Sequence, residues 1–164
     1  MERESSVMWT SVKINNEEIK AVIDTGSAAN VIDKRLMEEL NLKPIVSSRA
    51  IFTLANGVKI ASLGKMEIEL EIENIVIPVM IHVIDANERK LILGNDFLRE
   101  RKANISYEDK ILEIEVRGNK IEIDIEYERE NNNRIEKVEE ENGYESDDNE
   151  YEEEEQAELF SLNC

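Results

Sequence analysis

Cysteine, proline, histidine and tryptophan are scarce in this chain of 164 residues, which holds one, two, one and one of them. The single cysteine, Cys164, excludes an intrachain disulfide and suits a reducing compartment. His82 has no second histidine or cysteine beside it, so it reads as a structural residue; no metal and no cofactor are expected. Long apolar runs are also missing. The longest, Ile75 to Ile84, contains Pro78 and His82 and is about half of the ~20 residues that a spanning helix needs. The charged start, Met1 to Ser6, leads into no apolar signal core. The expectation is an intracellular, cytoplasmic protein without a transmembrane segment.

Positive charge is short too, with 38 acids against 20 bases and a net charge of −18. The imbalance is uneven: residues 127–164 hold 15 acids and 3 bases, residues 1–126 hold 23 and 17. Such a chain is repelled by phosphate backbones and anionic lipid heads, so neither nucleic acid nor a membrane is expected as a ligand. A protein partner fits better. Beyond about Tyr127 apolar periodicity gives way to Asn131-Asn132-Asn133 and the acid run Glu139 to Glu155, where self-repulsion favours disorder. We therefore expect a flexible N-terminus over residues 1–6, one domain over residues 7–126, and an acidic, disordered tail over residues 127–164. The tail ends in a small apolar cluster, Leu159, Phe160 and Leu162.

What the chain does have is alternation. Met66, Ile68, Leu70 and Ile72 alternate with four glutamates, and Ile121, Ile123 and Ile125 alternate with Glu122, Asp124 and Glu126, the pattern of half-buried strands. The glutamate row reads as a solvated strand face rather than a calcium site, because it lacks the loop glycine and oxygen spacing of one. Asn15-Asn16 and Asn56-Gly57 sit between strand-like segments and predict two tight hairpins. Gly118-Asn119 reads as a further turn. Only two helices are predicted: Lys34 to Leu40, capped by Asp33 and ended by Asn41 and Pro44, and about Asp96 to Lys102 after Gly94, with Asp96 as its cap. Trp9 and Phe52 read as packing residues. The fold class is mainly β.

The chemistry concentrates in Ala21-Val22-Ile23-Asp24-Thr25-Gly26-Ser27, an apolar strand running into an acid, a hydroxyl and a glycine. Taken alone, the tripeptide is ordinary turn chemistry. In context the chain resembles the retropepsin-like aspartic proteases of retroviruses and retrotransposons and of the DNA-damage-inducible ubiquitin-shuttle family. Four features carry the resemblance in order: the Asp24 loop, the helix-forming stretch behind it, the Asn56-Gly57 hairpin where that family has its flap, and Leu91-Ile92-Leu93-Gly94-Asn95-Asp96-Phe97-Leu98. Ala103 to Tyr107 and Ile111 to Ile114 resemble the closing strand pair of retrotransposon-type and shuttle-type members.

The resemblance implies a closed acid-protease barrel with one active-site loop per chain, completed by homodimerisation. Peptide hydrolysis by acid–base catalysis needs two carboxylates, and this chain supplies one such loop, so the second Asp24 would come from a second copy. Two like charges in contact share a proton and titrate as a unit. By resemblance, Thr25 would reach across the twofold axis, and Gly26 would leave room for substrate. Ser27 would donate a hydrogen bond to the carboxylate, and Gly94 would pack under the loop. Asn56 and Gly57 at the flap tip would cover an extended peptide, such as a retrotransposon-type polyprotein. Where many viral members carry an acid after the loop and an arginine after the later glycine, this chain has Ala28-Ala29 and Asn95. The competing reading is a catalytically degenerate dimer of the same fold serving as a protein-interaction module through its acidic tail.

Overall fold

The structure is a computed structural model that describes residues 6–129 except 44 and 55. Twelve strands and two short helices follow one another in this region. The strands are β1 (Ser6–Ile14), β2 (Glu17–Ile23), β3 (Val31–Asp33), β4 (Ile51–Thr53), β5 (Lys59–Ala61), β6 (Gly64–Ile72), β7 (Ile75–Ile84), β8 (Leu91–Leu93), β9 (Asn104–Ser106), β10 (Ile111–Val116), β11 (Asn119–Asp124) and β12 (Glu126–Arg129). The helices are α1 (Lys34–Glu39) and α2 (Asn95–Glu100).

The main sheet runs β12-β1-β2-β8-β3-β7-β6, and β1 also meets β6 at Lys13 and Glu71, which closes six of its strands into a barrel. Period-2 chemistry explains the closure. In β6 the apolar residues Met66, Ile68, Leu70 and Ile72 are buried while Glu67 and Glu69 face water, so each strand turns one face inward. The interior holds Val12, Ile14, Ile23, Ile32, Leu70, Ile81 and Leu93, all at or below 2% exposure. The β9-β10-β11 sheet adds Leu112, Ile114 and Ile123 to the same core.

The turns follow the residues that tolerate left-handed backbone. Asn15 and Asn16, with φ of 51° and 69°, join β1 to β2, as an Asn-Asn turn between alternating strands requires. Glu73 and Asn74 do the same between β6 and β7. Pro78 is tolerated inside β7 for a positional reason. It shares parity with Met80 and His82, whose backbone groups bond to Asn30 rather than to β6, so its missing N–H falls on the side away from the ladder.

Three expectations shift. The paired chain continues past residue 126: Glu126–Arg129 pairs with Ser6–Trp9 of β1, and Ile125 and Tyr127 pack against the core. One apolar residue in a four-residue strand is too weak a signal to separate it from an acidic tail. The turn after β10 is centred on Arg117 and Gly118, both at positive φ, with Asn119 already in β11. The helix after Gly94 begins at Asn95 and is not capped by Asp96. Pro44 and the tail from Glu130 onward lie outside the described residues. Among the described residues no helix is long and apolar enough to cross a membrane.

Candidate active site

β2 delivers Asp24. Its last residues pair in parallel with β8, Ala21 with Leu91, Val22 with Ile92 and Ile23 with Leu93, and the ladder extends one step further as Asp24 N–H donates to the Leu93 carbonyl at 3.0 Å. The strand therefore stops with Asp24 at the barrel's edge. Asp24 is half-buried, Thr25 and Gly26 are exposed, and Ser27 is buried at 1% exposure. The loop turns tightly: Gly26 N–H donates to Asp24 Oδ1 at 2.9 Å and Ser27 N–H to the Asp24 carbonyl at 3.1 Å. A Cβ at position 26 would stand 3.2 Å from Asp24 Oδ1, so a side chain there would press on that oxygen.

Ser27 departs from its expected bond. Its hydroxyl donates to the Ala29 carbonyl at 2.8 Å, on the buried side of the loop, and braces the turn rather than the carboxylate. The reason is its burial, which aims the side chain at the core.

The loop rests on the N-terminus of α2. Asn95 N–H donates to the Ser27 carbonyl at 2.8 Å and Asp96 N–H to the Ala28 carbonyl at 3.0 Å. The Asn95 amide Nδ2 donates to the Thr25 carbonyl at 3.0 Å. Gly94 lies so close beneath the loop that a Cβ would stand 2.4 Å from the Ala29 carbonyl oxygen and 2.5 Å from that of Ser27. Its φ of −103° suits any residue; glycine is needed for space. The helix's first donors are thus satisfied by the loop, which leaves Asp96 nothing to cap.

Asn30 was not singled out from the sequence, yet it is the hub of this packing. Buried at 4% exposure, its Oδ1 accepts from Gly94 N–H at 2.9 Å and Phe97 N–H at 3.3 Å, while its Nδ2 donates to the Met80 carbonyl at 3.0 Å. Its only sequence signal is a polar residue inside the apolar run Ala28 to Ile32. Asp33 plays the matching part at α1, where Oδ2 caps Arg35 N–H at 2.9 Å and Oδ1 accepts from Ala86 N–H at 2.9 Å.

Asn56 and Gly57 form the turn of the β4–β5 hairpin. Leu54 N–H reaches the Val58 carbonyl at 2.8 Å, Asn56 Oδ1 accepts from Val58 N–H at 2.9 Å, and Gly57 has a φ of +88°. The hairpin's root meets the Asp24 loop in a second apolar cluster, where Phe52 packs with Ala29, Val31, Ile84 and Ile92. His82 lies under Phe52, ring centroids 5.2 Å apart and edge to face, with Nδ1 3.1 Å from Ser62 Oγ. Burial, and then the charge of Lys65, hold the His82 imidazole below its usual range. Among the described residues no three histidine, cysteine or acidic side chains are placed to hold a metal ion.

The model of the family described as "gag-polyprotein putative aspartyl protease" matches residues 10–100, from β1 through α2. The chain belongs to that family. The chain is similar to DNA damage-inducible protein 1 of Candida glabrata, 33% identical over 111 residues that cover 66% of this chain and 26% of that protein. It is also similar to the UBA domain-containing protein Mud1 of Schizosaccharomyces pombe, 29% identical over 110 residues covering 66% and 33%. The chain thus spans about a quarter to a third of the length of these curated relatives. Among solved structures, the retroviral protease-like domain of Ddi1 from Leishmania major matches with a TM-score of 0.58 at 22% identity, covering 73% of this chain and 93% of that one. The EIAV protease complexed with the inhibitor HBY-793 matches with a TM-score of 0.51 at 20% identity, covering 65% and 95%. The fold is retropepsin-like, as the order of motifs implied.

Proposed function

We propose that this chain is an aspartic endopeptidase assembled from two copies, each contributing Asp24. The observation that carries this reading is the Asp24 loop itself: one carboxylate per chain, at the open end of β2, held by a backbone donor and bolted to α2. One such loop supplies a base or an acid, not both. A twofold dimer brings two together, and the pair holds one proton between them.

In the reaction the ionised carboxylate takes a proton from water as the water oxygen bonds to the scissile carbonyl carbon. The protonated carboxyl gives its proton to the carbonyl oxygen. Collapse of the tetrahedral intermediate breaks the C–N bond, the amine nitrogen is protonated, and the dyad regains its single proton. Thr25 and Gly26, exposed at the loop's tip, are the residues that meet the partner's loop and the substrate. The β4–β5 hairpin with Asn56 and Gly57 closes over an extended peptide, and a retrotransposon-type polyprotein is the substrate we favour. The apolar side chains of Val22, Ala28, Leu54 and Ile60, partly exposed around the second cluster, suit apolar side chains in that peptide.

The test is cleavage of a mixed peptide library by the purified chain at micromolar concentration, from mildly acidic to neutral pH, with and without pepstatin, beside Asp24→Asn. We expect cleavage that pepstatin blocks and Asp24→Asn reduces by at least about 10³-fold, with the dimer intact by sedimentation velocity. A folded dimer that cuts nothing across that range would instead support the interaction-module reading.

A further inference from the structure

We propose that the outer face of the β4–β5 hairpin binds the acidic C-terminal segment of the same chain, from Glu139 to Leu162. The register of the hairpin defines two faces. Phe52 and Ile60 are paired and turn toward the second apolar cluster. The pairs Ile51 with Ala61 and Thr53 with Lys59 turn the other way, and Ser62 N–H on the Ala50 carbonyl carries the ladder on toward Arg49 and Leu63. The outward row is thus Arg49, Ile51 and Thr53 on one arm and Lys59, Ala61 and Leu63 on the other. Ile51 and Leu63 are each 48% exposed, and Arg49 and Lys59 are also exposed. Bases stand at two diagonal corners with apolar surface between them.

The charge around this face is exceptional for the chain. From Leu40 to Met66 there is no acid and there are four bases, in a sequence with 38 acids among 164 residues. Neither Arg49 nor Lys59 forms an ion pair with any described residue. The neighbouring outward face of β6 offers Glu67 and Glu69, which repel an acidic segment and leave the hairpin as the complementary surface.

The occupant is fixed by the same chemistry. Residues 127–164 carry a balance of −12, and their acid run leads directly into Leu159, Phe160 and Leu162, so one segment offers carboxylates for the two bases and apolar side chains for Ile51 and Leu63. Reach is no obstacle, since the 30 residues from Arg129 to Leu159 can span up to about 100 Å when extended. Tethering raises the local concentration of the segment to the order of millimolar, so weak contacts suffice. This inference does not depend on the chain being a protease; if it is one, the segment restrains the hairpin that closes over substrate.

The single cysteine makes a direct test possible. A nitroxide on Cys164 of the full chain should broaden the backbone amide signals of Ile51, Ala61 and Leu63, with at least about twofold loss of intensity at roughly 0.05 M salt and recovery at about 1 M, where the Debye length shrinks to about 3 Å. The double substitution Arg49→Glu/Lys59→Glu should abolish the broadening. Neutralising the occupant, Glu152→Gln through Glu155→Gln, should do so from the other side without touching the hairpin. No broadening, or broadening unchanged in both variants, overturns the proposal. Broadening that appears only in a mixture of isotope-labelled chains and separate nitroxide-bearing chains overturns it as well, in favour of contact with a second copy.

Discussion

Two helices of equal length, α1 and α2, each follow a fully buried three-residue strand, and their N-termini are fastened in opposite ways. At α1 the residue that ends β3, Asp33, turns its own side chain back onto Arg35 N–H. At α2 the capping position is Gly94, which has no side chain to offer, and the first donors go instead to the carbonyls of Ser27 and Ala28 and to the Asn30 amide, more than 60 residues earlier. A local cap stabilises a helix. A remote cap makes the helix part of the Asp24 loop, so that loop and helix hold or fail together.

Substitutions can break that contrast. The largest effect belongs to Gly94→Ala, whose methyl group would enter the carbonyls of Ser27 and Ala29; overpacking against backbone should cost about 3 kcal/mol in urea unfolding. Next comes Asn30→Leu, which leaves Gly94 N–H, Phe97 N–H and the Met80 carbonyl buried without their partner. We expect about 2 kcal/mol of destabilisation, and any peptidase activity of the remaining folded protein should fall as well. Asp33→Ala sharpens the comparison from the other side: losing the cap and the bond to Ala86 N–H should cost about 1–2 kcal/mol and leave any peptidase activity of the folded fraction unchanged. Equal catalytic loss in Asp33→Ala and Asn30→Leu would dissolve the distinction.

The smallest effect concerns pH. His82 donates its backbone N–H to the Asn30 carbonyl, and its imidazole is held below the ordinary 6.5 by burial and by Lys65. The unfolded chain therefore binds this proton more readily than the folded one. The stability associated with His82 is complete above about pH 6.5 and is lost as the pH falls through that value toward the folded pKa. His82→Gln should flatten this part of the stability profile, read as the difference in urea midpoints between the two proteins at pH 7.5 and 5.5.

Much of this was legible in the residues. Period-2 alternation marked the long strands, Asn15-Asn16 and Asn56-Gly57 marked two hairpins, and Asp33 announced its helix, because each signal acts over a few neighbouring positions. Asp24 and Gly94 were legible through the order of motifs around them. Asn30 was not, since what makes it matter is the company of Met80, Gly94 and Phe97. Nor were the parallel pairings of β2 with β8 and β3 with β7: alternation reports which face a side chain takes and not which strand lies alongside. Asp96 misled because an acid in the first turn looks like a cap even when the donors are already spoken for.

The barrel closes where β1 meets β6 at the single pair Lys13 and Glu71, whereas β6 and β7 are joined over nine pairs. A rolled sheet fastened so narrowly has a preferred line along which to part. Transient opening should begin there, with amide protons beside this seam exchanging earlier than those between β6 and β7, well before the barrel as a whole unfolds. The Asp24 loop, on the β2–β8 side of the roll, can stay in place while the seam breathes.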